Sequence, residues 1–224
     1  MVRAVLFDLD GTLLNRDASL RDFVAHQHAR LNRFLSHIPL DEYVQRFLQL
    51  DSDGRVWKDK VYQSLVEEFT IEGMEWPSLL QDYWDHFHNH CIPFPNLDVT
   101  LATLQAQGIR LGMITNGYGE FQTRSIRALG IHHYFDAVLI SEWEGVRKPD
   151  PEIFTRALER LEVSASESVF VGDHLEHDVV AAKNAGLKAI WKRNAPGHPR
   201  TEVAGNEADG VIDDLADILL HVKS

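Results

Sequence analysis

Asp8 and Asp10, two residues apart at the end of a short apolar run, open a set of polar residues whose types suit phosphoryl chemistry. The set continues with Thr115-Asn116-Gly117, Arg147-Lys148-Pro149 and Gly172-Asp173, followed by Asp178. Asp8, Asp10, Asp173 and Asp178 gathered in one crevice would raise one another's pKa unless a cation neutralised them. A hard divalent ion with oxygen ligands solves that problem, and Mg²⁺ keeps positions open for water and phosphate oxygens. Lys148 adds a second positive charge. The Thr115 hydroxyl and the backbone N–H groups near Asn116 and Gly117 could hold phosphate oxygens as helix starts do. Gly11 gives the chain freedom to leave the first strand sharply.

These fragments meet only if the chain forms an open α/β sheet. Apolar, β-branched runs at 4–7, 109–114, 137–140, 168–171, 189–191 and 210–212 predict strands. Amphipathic stretches at 98–107, 120–129, 152–161, 179–185 and 215–222 predict helices, with Ile153, Phe154, Ala157, Leu158 and Leu161 at helical spacing. Asp150 followed by Pro151 reads as a helix start, and Gly108, Gly130 and Gly186 follow helix ends. Such alternation predicts a doubly wound parallel sheet with helices on both faces. Ligands bind beyond the carboxyl ends of the strands in sheets of this kind, and every fragment named above lies there. Residues 15–95 break the rhythm with helical patterns at 20–34, 40–50, 56–69 and 76–90. A stretch of about eighty residues is too long for a connection. The expectation is therefore a core domain of 1–14 and 96–224 with an inserted α-helical domain of 15–95, Pro93 and Pro95 marking the return.

With 22 Lys+Arg against 34 Asp+Glu the formal net charge is −12, which argues against a broad nucleic-acid footprint. A single cysteine, Cys91, excludes an internal disulfide and a multi-cysteine zinc site. No apolar run reaches the length of a membrane span, and Asp8 and Asp10 interrupt the N-terminal one too early for a signal peptide. The expected setting is a soluble, reducing one, the cytoplasm. Monomer and homodimer both stay open.

In their order, the four fragments resemble the motifs of the haloacid dehalogenase superfamily, in the group whose cap is inserted after the first strand. Asp8-Leu9-Asp10-Gly11-Thr12, Thr115-Asn116, Lys148-Pro149 and Gly172-Asp173-x4-Asp178 carry the resemblance. Ile114-Thr115-Asn116-Gly117 and the Glu176 within the last motif also look like the subgroup of nucleotidases and acylneuraminate phosphatases. The resemblance implies a Rossmann-like core with a helical cap, and a Mg²⁺-dependent phosphatase acting on a small phosphate ester, either a nucleoside monophosphate or a sugar phosphate. It implies that Asp8 is the nucleophile forming an aspartyl-phosphate and Asp10 the acid/base. Asp8, the backbone carbonyl of Asp10 and Asp173 would ligate Mg²⁺, with Asp178 orienting that shell. Thr115, Asn116 and Lys148 would bind the transferring phosphoryl group. Arg55 and Lys58, just after the turn Asp51-Ser52-Asp53-Gly54, would face the site and select substrate. A phosphomutase is the nearest alternative. A dehalogenase calls for neither Asp10 nor Mg²⁺, and intact Asp8, Asp10, Lys148 and Asp173 argue against an idle binding module.

Each fragment also has an ordinary reading. Thr115-Asn116-Gly117 could be a cap and turn, Lys148 a solvated lysine, Asp178 a helix N-cap, and Arg55 and Lys58 a solvated helix start. His86, His88 and His90 alternate, and His86 and His90 would share a helix face at a spacing compatible with zinc, although partly exposed histidines are the expected reading. His174 and His177 lie inside the fourth motif without an assigned role. Trp57, Trp76, Trp84 and Phe87 read as core of the helical domain.

Overall fold

The computed structural model describes residues 1–194 and 207–222. After β1 (Ala4–Phe7) come five helices: α1 (Arg16–Arg30), α2 (Asn32–Leu35), α3 (Leu40–Asp51), α4 (Lys58–Glu68) and α5 (Trp76–His86). Then follow α6 (Leu97–Ala106), β2 (Arg110–Thr115), α7 (Gly119–Ala128), β3 (Ala137–Ile140), α8 (Ser141–Glu144) and α9 (Pro151–Leu161). The chain closes with β4 (Ser168–Gly172), α10 (Ala181–Asn184), β5 (Lys188–Lys192), β6 (Gly210–Ile212) and α11 (Ile218–His221). Among the described residues no helix is long and apolar enough to cross a membrane. Two compact units result, one of Met1–Asn15 with Pro93–Ser224 and one of Arg16–Ile92.

Among the described residues, six strands form one sheet in the first unit, in the order β3-β2-β1-β4-β5-β6 with every neighbouring pair parallel. This is the α/β doubly wound sheet that the alternation predicts. β1 is central and wholly buried, so both faces of its four residues must be apolar, as Ala4, Val5, Leu6 and Phe7 are. Ala4 and Leu6 face a core built with Ile153, Phe154, Ala157 and Leu161 of α9. That helix starts where the sequence places it, Asp150 accepting from the N–H of Glu152 at 2.9 Å with Pro151 behind it. Two expected helices are interrupted. The one at 179–185 is preceded by a π-helical segment, Leu175–Val180, and the one at 215–222 opens as a 3-10 turn, Leu215–Asp217. The first departure has a physical cause: Asp178 is buried and turned inward to accept the N–H of His174, which widens the turn.

The second unit is helical throughout, and its core is aromatic. Phe23 meets Tyr83 edge-on at 5.3 Å and Phe47 meets Tyr62 at 5.5 Å. Phe87 joins this core, but Trp57 is 61% exposed and does not. Its charged centre is Asp51, which is 1% exposed. Arg16 grips both carboxylate oxygens at 2.9 and 3.0 Å, Lys58 also reaches Oδ1, and the N–H of Gly54 donates to Oδ2 at 2.9 Å. The carboxylate thereby holds Ser52, Asp53 and Gly54, three successive residues with φ between 48° and 81°. Burial pushes the Asp51 pKa up, yet Arg16 and Lys58 outweigh it and hold the carboxyl below its ordinary value. A depressed carboxyl contributes stability above the ordinary range near pH 3.9, lost as pH falls through the lowered value.

Arg55 and Lys58, expected together to face the site, have different surroundings within the helical unit. Lys58 is a partner of a buried carboxylate, whereas Arg55 is exposed. Replacing Lys58 by Ala should cost about 2 kcal/mol, the worth of a hydrogen bond to a charged group, and lower the melting temperature by roughly 4–8 °C. Arg55→Ala should stay within about 0.5 kcal/mol of the parent. Thermal unfolding of both variants checks the contrast, and equal melting temperatures would contradict it.

Candidate active site

The carboxyl ends of β1, β2 and β4 bring the first polar residues together. Asp8 follows β1 directly and its N–H donates to Val171 O at 2.9 Å, which ties the end of β1 to β4. The chain then turns within Leu9–Leu14, where the N–H groups of Leu13 and Leu14 both donate to Leu9 O at 2.9 Å. Gly11 has φ 81°, and a Cβ there would overlap the Asp173 carboxylate. Both the backbone angle and the close approach demand glycine. Gly172 is required for the second reason alone, because a Cβ would overlap Asp178.

Lys148 is the centre of the site. It is 3% exposed, and its Nζ donates to Asp8 Oδ1 and to Asp178 Oδ1, each at 2.6 Å. Burial opposes its charge, but Asp178 and Asp8 overcome that and hold the ammonium protonated well above the usual lysine range. Asn116 fixes the backbone beneath it: its Nδ2 donates to Lys148 O and its Oδ1 accepts from Lys148 N, both at 2.9 Å. Both polar atoms of the Asn116 side chain are thus bonded to the Lys148 backbone. The N–H of Gly117 donates to Ser141 Oγ at 3.0 Å.

Carboxylates outnumber cations here. One oxygen from each of Asp8, Asp173 and Asp178 lies within 4.8 Å of the others. Burial raises the Asp8 pKa to about 7, with Asp178 and Asp10 adding to the rise and Lys148 opposing it. Burial and the Asp8 charge likewise hold Asp173 well above its ordinary value. Such a cluster of hard oxygen donors, short of positive charge, fits a divalent cation. Asp178 already accepts from Lys148 and from the His174 N–H at 3.0 Å, so it orients its neighbours.

Four residues that the sequence did not single out complete the arrangement. Gln122 of α7 is 2% exposed, and its Nε2 donates to Asp10 Oδ2 at 2.7 Å and to Thr115 Oγ1 at 2.6 Å. It joins the end of β2 to the turn after β1. Asn194 donates to Asp173 Oδ2 at 2.8 Å, and the Trp191 indole donates to Asp173 O at 2.8 Å. Lys192 sits 3.2 Å from the centre of the Phe94 ring and donates to Asn194 Oδ1 at 3.0 Å. Burial pushes its ammonium down to about 8. The signal for Gln122 was present in principle, as a polar residue on the buried face of an amphipathic helix.

Arg55 and Lys58 belong to the helical unit. His174 and His177 stack on each other with ring centres 4.1 Å apart. His86 and His90 do not share a helix face, because α5 ends at His86 and a 3-10 turn, Phe87–His90, follows.

A family model described as haloacid dehalogenase-like hydrolase matches residues 5–192. Among curated relatives, a glyceraldehyde 3-phosphate phosphatase of Methanothermobacter thermautotrophicus is 33% identical, with 97% of this chain and 98% of the relative covered. A phosphoserine phosphatase of Thermus thermophilus is 37% identical over 85% of this chain and 88% of its own. Among solved structures, a HAD phosphatase from Thermococcus onnurineus superposes with a TM-score of 0.69 at 30% identity, covering 99% of this chain and 98% of that one. The sheet order, the residues at its carboxyl edge and these similarities agree: the chain belongs to the haloacid dehalogenase-like hydrolase family.

Proposed function

We propose that this hydrolase is a Mg²⁺-dependent phosphatase of small phosphomonoesters, acting through an aspartyl-phosphate on Asp8. One observation carries the reading: a buried lysine ammonium holds a single oxygen of Asp8, so the second oxygen is left for attack on phosphorus. The helical unit Arg16–Ile92 is the proposed cap, and the cytoplasm the proposed location.

Lys148 favours the ionised form of Asp8 against burial and orients it, and supplies positive charge where the phosphoryl group would sit. The second oxygen of Asp8 attacks phosphorus, the ester P–O bond breaks, and its electron pair leaves with the alcohol oxygen. Protonated Asp10 gives its proton to that oxygen. In the second half Asp10, now a carboxylate, takes a proton from water as the water oxygen attacks phosphorus and the P–O bond to Asp8 breaks. Covalent catalysis gains by replacing one hard displacement with two easier ones. Gln122 fixes Asp10 for both proton transfers and ties it to Thr115, whose hydroxyl hydrogen is left to donate to the phosphoryl group. Asp8, Asp173 and the Asp10 backbone carbonyl are the proposed Mg²⁺ ligands, with Asp178 and Asn194 setting their orientation. Mg²⁺, when bound, offsets the negative charge of the phosphoryl oxygens.

The names of the relatives support sugar phosphates and similarly small esters as substrates ahead of nucleoside monophosphates. A phosphate-release screen across these classes, with Mg²⁺, with Ca²⁺ and after exhaustive chelation, tests the proposal. Turnover should need Mg²⁺ and be poor with Ca²⁺, which takes more oxygens at longer distances. Full activity after chelation, or no phosphate release from any ester, would overturn it.

Asp10 and Gln122 should share a kinetic signature. Asp10→Asn should slow phosphorylation by alkyl phosphates about 10²–10⁴-fold, the usual worth of general acid help. Gln122→Met, close in volume, should cost about 10–100-fold, as loss of a supporting hydrogen bond does. Both deficits should shrink for aryl phosphates, whose leaving groups need little protonation. Rapid-quench kinetics on the two ester types reads this, and equal slowing of both types would remove Asp10 from the acid role.

A further inference from the structure

The helical unit carries a second group of metal-ligating side chains, chemically unlike the carboxylate cluster. We propose that Asp22, His26 and His90 form a site for one divalent transition-metal ion, with zinc as its occupant. One ligand atom from each of the three lies within 4.8 Å of the others. Asp22 and His26 are four residues apart on α1 and so stand one turn apart on one face. His90 comes from the 3-10 turn at the far end of the unit, and its Nδ1 lies 2.7 Å from Asp22 Oδ2. The His26 and His90 ring centres are 4.7 Å apart.

Two details make this more than a surface ion pair. His26 Nδ1 stands 2.8 Å from the backbone carbonyl of Asp22. A carbonyl only accepts, so Nδ1 carries the hydrogen and the ring's lone pair is placed on Nε2, the form in which imidazole ligates a metal. The His90 ring is held edge-on by Phe23 at 5.6 Å and its side chain is only 10% exposed, so it does not have to be ordered on binding. Ligands in a tetrahedral zinc site with bonds of about 2.0–2.1 Å stand about 3.3 Å apart, so binding requires His90 Nδ1 to exchange its hydrogen bond to Asp22 Oδ2 for the metal and the exposed His26 ring to bring Nε2 to the same point. Two imidazoles and one carboxylate suit zinc and its neighbours in the first transition row, whereas the oxygen-only cluster at Asp8 and Asp173 suits Mg²⁺. Side-chain exposures of 58% at His26 and 42% at Asp22 leave room for water to complete the coordination. The ion would join α1 to residues just before the chain leaves the unit at Ile92, closing a loop of 68 residues.

The test uses the full chain in excess Mg²⁺, which keeps the carboxylate cluster occupied. Zinc is titrated calorimetrically, and Co²⁺ is titrated with visible absorption as the readout of imidazole ligation. The parent should bind one zinc ion that His26→Gln and His90→Gln each weaken at least tenfold, while His174→Gln does not. Zinc should also raise the melting temperature of the parent more than that of either variant, since an ion bound only by the folded state stabilises it. His26 is exposed, so His26→Gln decides the matter even if His90→Gln fails to fold. Zinc affinity equal in the parent and in folded His26→Gln would overturn the proposal, as would no zinc binding by the parent. Either result would leave the three residues as a hydrogen-bonded group alone.

Discussion

A single buried ammonium shared between two carboxylates governs the first unit. Lys148 reaches Asp8 and Asp178 at equal distances, and those residues follow two adjacent strands, β1 and β4. Three buried charges persist only because each is paired and hydrogen-bonded; removing one partner would strand the others at a cost of about 3–5 kcal/mol. The surrounding chain is arranged to meet that condition. Asn116 clamps the Lys148 backbone from both sides, the N–H of His174 takes the second oxygen of Asp178, and Gly172 makes room for that carboxylate.

The same constraint explains the chemistry. One lysine cannot balance Asp8, Asp10, Asp173 and Asp178, so burial keeps Asp8 and Asp173 readier to bind protons than ordinary aspartates. A site in that state favours a bound cation, and the cation in turn would offset the negative charge of a transferring phosphoryl group. The helical unit treats its own buried carboxylate oppositely. Asp51 has two cations and a backbone N–H, enough to keep its carboxyl below the ordinary value. One unit balances its buried charge and the other leaves it unbalanced, where the reaction is placed.

Much of the architecture was legible because it depends on local pattern. The apolar run at 4–7, the Asp150-Pro151 start of α9 and the strand–helix alternation each encode their structure within a few residues. What escaped depends on partners far away in the chain. Gln122 differs from any helix glutamine only in meeting Asp10, 112 positions earlier, and Asn116 in meeting the backbone of Lys148. The pairing of Lys58 with Asp51 escaped because nothing beside it in the sequence shows that Asp51 is buried. The helix expected at 179–185 is joined to a π-helical turn because of Asp178, a tertiary demand that periodicity does not carry. The His86–His90 spacing, set aside in favour of partly exposed histidines, gives no shared helix face because the helix ends at His86.

The central claim is that Lys148 holds Asp8 as the group that accepts phosphorus. Acid quenching during turnover of a small phosphomonoester in Mg²⁺, followed by borohydride reduction and peptide mass spectrometry, tests it directly, because reduction converts an aspartyl-phosphate into homoserine. Homoserine is expected in place of Asp8 and at no other aspartate. Reduction at a different position, or steady turnover with no reducible acyl-phosphate at any time after mixing, would contradict it.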